Sequence, residues 1–188
     1  MIIASQKKKE NIAEYLLYMW QIEDIIRAYG LDIDQIQKHI IDSYDLPEEQ
    51  KKSMREWYES LIDMMHSEGV EKKGHLQLNK NVLIDLTDLH LRLLKSTREP
   101  FYGAAFFKTL PYIVELRAKS GEGKTGELET CFNALYGVLL LRLQKKEIQS
   151  DTLKAIQQIS TFLSILAEKY KQEKAGELEL EKNIKCDD

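Results

Sequence analysis

Three groupings of residues in this chain are candidates for phosphate binding, metal or nucleophilic chemistry, or buried charge. The sharpest is AKSGEGKTGE, residues 118–127, where Gly123, Lys124 and Thr125 match the close of a phosphate-binding G-x-x-x-x-G-K-[ST] loop. In such a loop glycine amides wrap the phosphates, the lysine reaches the outer ones, and a strand leads in. Here Ala118 occupies the place of the first glycine, and the residues before it repeat at helical intervals. The string VLID at 82–85 imitates the hydrophobic-Asp partner that holds magnesium, yet it precedes the loop and sits in a helical pattern. The segment therefore reads as a flexible connection between helices.

The second grouping concerns metals and nucleophiles. Among His39, His66, His75 and His90, only Asp63-x-x-His66 has ligand spacing along a helix. A di-iron bundle needs Glu-x-x-His on each of two helices with two further glutamates, and the chain has no Glu-x-x-His. Zinc spacing of Cys and His is absent as well, so neither metal nor cofactor is expected. No Gly-x-Ser-x-Gly elbow occurs, and Cys131 lies among Leu128, Leu135 and Val138, where a cysteine acts as a small hydrophobe.

The third grouping is a set of polar side chains on apolar helix faces. Glu23 falls inside the arc of Ile12, Leu16, Met19, Ile22 and Ile26, with Arg27 one turn on. His90 falls between Leu86 and Leu94, and Arg142 in the arc of Cys131, Leu135, Val138 and Leu139. An unpaired buried charge costs several kcal/mol, so such groups must meet partners. The expectation is a buried cluster in which Glu23 pairs with Arg27, His90 or Arg142. Two readings of it stand: an ion pair that fixes helix register, or a pocket in which Glu23 accepts a proton and an arginine holds an anion.

The elements that must position these groups are helical. Projection at about 100° per residue gives amphipathic helices and almost no strand alternation. A first helix spans about Lys7–Tyr29 and ends at Gly30; others follow over 31–44, from Pro47 to near Gly69, and over 76–96. The segment 100–119 must kink or split at Pro111, which lacks a backbone donor. Two long helices close the fold, the last opening at Ser150 or Asp151. The class is all-α: one helical domain of six or seven helices over residues 1–170, followed by a charged tail at 171–188 expected to fray. Ile84, Leu91, Phe162 and Ile165 lie off the main apolar sides of their helices. They mark either a contact surface, with a homodimer as its default form, or a second buried side.

Composition sets the remaining bounds. The chain has 188 residues, 43% apolar and 31% charged, with a formal charge of -4. The acidic balance disfavours nucleic acid, and the lysine run at 7–9 is a weak counter-indication. The longest apolar run, ALYGVLLL, is far short of the roughly 20 residues that span a bilayer, so no membrane contact is expected. Lysines that follow the apolar start reverse the order of a secretory signal, and two cysteines form no framework; the expected setting is cytoplasmic.

The stretch QKKKENIAEYLLYMWQIEDIIRAYG, with the Trp57-Tyr58 helix and the chain's length, resembles a bacterial family described as domain of unknown function 4924. The resemblance implies an all-helical fold in a bacterial cytoplasm, with no assigned activity, cofactor or catalytic residue. Taken together, the expectation is a non-enzymatic helical interaction or regulatory protein acting as a homodimer. The alternative is a small-molecule-binding protein or enzyme with a polar pocket around Glu23 and Arg27.

Overall fold

The computed structural model describes residues 2–120 and 125–180. Among them are eight α-helices, one π-helical turn and no strand. The helices are α1 (Ile2–Glu10), α2 (Ile12–Ala28), α3 (Ile33–Ile36), α4 (Glu48–Ser67), α5 (Gln77–Lys95), α6 (Pro100–Ser120), α7 (Glu127–Leu143) and α8 (Ser150–Lys174). The π turn, Gln37–Ile41, continues α3. The fold is all-α.

The helix expected over Lys7–Tyr29 is two helices, divided at Asn11. Its side chain accepts from the Ala13 amide at 3.0 Å, so Asn11 caps α2. With Glu14 three residues on, the sequence Asn-x-x-Glu is the start signal that the long apolar pattern hid. The lysine run fills the last turn of α1, where cations suit the helix dipole. Lys7 pairs with Glu14 at 3.2 Å, and Lys8 lies 5.4 Å from the Tyr15 ring.

Helix ends elsewhere follow from local chemistry. Gly30 and Gly69 take φ of +66° and +65°, a region other residues enter at a cost. At Gly69 the Val70 amide donates to the Met65 carbonyl and the Gly69 amide to His66, closing α4 with a Schellman motif. Val70 and Met65 are both buried, which supplies the apolar contact that accompanies this motif. Pro111 does not split its helix: α6 runs through it, losing only the donor that would have served the Phe107 carbonyl. Helix α8 extends to Lys174, inside the tail expected to begin at 171, and residues 181–188 of that tail lie outside the described ones.

The chain groups into two compact units. Of the described residues, the first comprises 2–10 and 14–82, the second 11–13, 83–120 and 125–180. In the first, α3, the π turn and α4 pack together, with Ile36, Ile41, Tyr58, Leu61 and Met65 buried. In the second, α6, α7 and α8 pack on one another around Tyr102, Ile113, Phe132, Ile159 and Phe162.

Candidate functional site

Glu23 is fully buried on α2, and its carboxyl group is occupied by partners from its own unit. The Leu76 amide donates to Oε1 at 2.9 Å, and the Asn79 side-chain amide to the same oxygen at 2.7 Å. Oε2 lies 2.6 Å from Nδ1 of His75. Leu76 immediately precedes α5, and a leucine there has no side-chain oxygen with which to cap the helix. Glu23, from another helix, accepts the Leu76 amide itself, the donor that a glutamate at the third helical position serves in a capping box. Glu68 does the same for the next amide, accepting from Gln77 N–H at 2.6 Å. Two carboxyl groups thus stand at the positive end of α5, where negative charge is favoured.

The neighbouring side chains of α2 hold the connection that leads into α5. Trp20, three residues before Glu23, stacks on the His75 ring at 4.2 Å and 14°. Arg27, four residues after it, donates to the carbonyls of Val70 and Gly74 and pairs with Asp24 at 2.8 Å. One face of α2 therefore grips residues 70–79 by a ring, a carboxyl group and a guanidinium. Buried Arg27 Nε and Asn79 Oδ1 have no hydrogen-bond partner among the described residues. Arg27 faces backbone carbonyls where the expected arrangement had it facing Glu23. A pairwise charge argument misses this because carbonyl acceptors carry no sequence signal.

The other members of the expected cluster have separate surroundings. His90 is buried, with Nδ1 2.6 Å from the Tyr102 hydroxyl. Its ring meets Phe106 edge-on at 4.8 Å and Phe162 at 5.8 Å. Burial lowers the imidazole pKa, opposed in part by the charge of Glu127, and burial pushes the Tyr102 hydroxyl up. His90 is thus a neutral ring in an aromatic core, consistent with an Nε2 that has no hydrogen-bond partner among the described residues. Arg142 is exposed in the last turn of α7, where a cation meets the carbonyl end of the helix, and so does not belong to a buried cluster.

The remaining candidates divide by exposure. Ile84 and Leu91 face solvent on α5, at 59% and 48% exposure. Ile165 is half-buried, whereas Phe162 is wholly buried among Tyr102, Phe106 and His90 and cannot form a contact surface. It lies on the second buried side of α8, which the aromatic core requires. Asp63 and His66 are both exposed, and no three of His, Cys, Asp and Glu gather as metal ligands among the described residues. Residues 121–124 of the loop resembling a phosphate-binding turn lie outside those residues, and Ala118 is within α6. Cys131 is buried, which pushes its thiol up to about 12; Glu127 adds to the shift and Arg117 opposes it.

Exposed apolar residues on α6 escaped sequence reasoning. Phe101, Phe107 and Val114 are 88%, 66% and 56% exposed. A second set of apolar residues at helical spacing within PFYGAAFFKTLPYIVELRAK was the available signal. The first unit carries a groove of about 970 Å³ lined by Ile3, Tyr44, Leu46 and Met54, with Lys9 and Glu49 among its polar residues; neither Glu23 nor Arg27 lines it.

No helix among the described residues is long and apolar enough to cross a membrane. No curated protein and no solved structure matches the chain. The model of one family matches residues 1–177, nearly the whole sequence, including the α2 face that grips residues 70–79. The chain belongs to that family, the domain of unknown function DUF4924.

Proposed function

We propose that this protein is a non-enzymatic helical interaction protein that works as a homo-oligomer. The observation that supports this reading is the solvent exposure of Phe101, Phe107 and Val114 on α6. Large aromatic residues at such exposure, repeated along one helix, mark a surface that a partner covers. The occupied carboxyl group of Glu23 and the backbone contacts of Arg27 support a packing role for the polar face of α2 over a ligand pocket. A cytoplasmic setting belongs to the same reading, since Cys131 is a buried free thiol.

The test is light scattering coupled to size exclusion over a concentration series. The expected mass is a multiple of 21.9 kDa, rising toward the oligomer with concentration. A strict monomer at high micromolar concentration would overturn the homo-oligomer reading.

A further inference from the structure

Helix α6 carries two apolar seams on opposite faces. Tyr102, Phe106, Thr109 and Ile113 recur at intervals of four, three and four, and all are buried within the second unit. Ala104, Phe107, Pro111, Val114 and Ala118 recur at three, four, three and four, and all are exposed. Ala104 is two residues on from Tyr102, about 200° around the helix, so the second seam points away from the first. Alternating three- and four-residue spacing is the interval at which one helix packs lengthwise along another. The inner seam has its neighbours; the outer one has the same geometry and faces solvent.

We propose that a second copy of this chain covers the outer seam, the two α6 helices pairing antiparallel across a two-fold axis. The inference rests on the homo-oligomer reading above and adds the surface, the direction and the register. Charge decides the direction. Lys108 and Glu115 are exposed, seven residues apart, on the same flank of the seam. Antiparallel pairing sets this flank against itself in reverse, so Lys108 of each copy meets Glu115 of the other. Parallel pairing would set the same flank against Gly103 and Leu110, which offer no charge. Lys108 has no ion pair within its own chain among the described residues, whereas Glu115 has only the exposed Lys119, at 2.6 Å.

Volume supports the same register. With Lys108 opposite Glu115 of the other copy, the layers of the seam place Phe107 against Ala118 and Pro111 against Val114. The largest residue of the seam then faces one of its smallest, and two of middle size face each other, which lets the layers interdigitate. A symmetric contact of this kind is self-limiting, since each copy offers its seam once.

The experiment measures dimer dissociation by sedimentation equilibrium on the full chain and its variants. Phe107→Glu, at an exposed position, is expected to weaken the dimer by at least about tenfold, the equivalent of one strong contact. Val114→Asp should do the same, with circular dichroism confirming that both variants fold. Lys108→Glu and Glu115→Lys should each weaken it several-fold, and the double exchange should restore the wild-type constant. Leu91→Glu, on exposed α5, should leave it unchanged. A wild-type dimer that both α6 seam variants leave intact would overturn this inference while sparing the homo-oligomer reading. Failure of the double exchange to rescue would overturn the antiparallel register. A wild-type monomer would overturn both.

Discussion

Removing the Glu23 carboxyl group tests the central structural reading most directly. In Glu23→Ala, the Leu76 amide and the Asn79 side-chain amide, both in buried bonds of 2.9 and 2.7 Å, lose their acceptor. A buried donor left unsatisfied costs about 1–3 kcal/mol, so the two together cost about 2–6 kcal/mol. Loss of the negative group at the head of α5 adds about 0.3–1 kcal/mol. His75 contributes less, because its side chain is 32% exposed and can turn to water. The sum is a large part of the roughly 5–15 kcal/mol that holds a domain folded. Glu23→Gln keeps an oxygen that can still accept from Leu76 and Asn79, and should cost only about 1 kcal/mol. Urea unfolding followed by circular dichroism gives both values. Hydrogen exchange should show the amides of Leu76–Lys80 losing protection first in the alanine variant. The capping account fails if Glu23→Ala costs less than about 1 kcal/mol, or if the alanine and glutamine variants cost the same.

Two further outcomes follow from buried titratable groups. The His90 pKa is lowered in the fold, so the unfolded chain binds the proton more readily. Stability is therefore full above the unfolded value of about 6.5 and falls as pH drops from there toward the folded value, at up to about 1.4 kcal/mol per pH unit. Urea midpoints between neutral and mildly acidic pH should show this loss. The double variant His90→Phe/Tyr102→Phe, which removes both polar partners, should flatten that part of the profile; an unchanged slope would refute the assignment. For Cys131, a thiol raised to about 12 is almost wholly protonated at neutral pH. In a Cys186→Ser background, iodoacetamide should leave the native protein unlabelled and label it once urea unfolds it. Rapid labelling of the native protein would contradict the burial of Cys131.

Periodicity and turn residues were enough to read the helical class and many of the helix ends. Gly30 and Gly69 close α2 and α4 because the backbone must turn left-handed there, a local requirement that a glycine announces. The Asn11 cap was equally legible, as Asn-x-x-Glu, but a continuous apolar pattern across Ile12–Ile26 masked it. Sequence also showed that Glu23, placed on an apolar face, must have partners. Which partners they are follows from packing. The amide that Glu23 satisfies opens α5, more than fifty residues away, where the third helical position holds Asn79 and not the glutamate of a capping box. The fate of apolar residues off the main face was likewise tertiary. Phe162 and Leu91 have similar patterns, yet the first closes an aromatic core and the second meets solvent. Helical periodicity gives the angle of a side chain about its own axis. Whether another helix lies at that angle depends on how distant segments pack, and for the outer seam of α6 the described residues supply none.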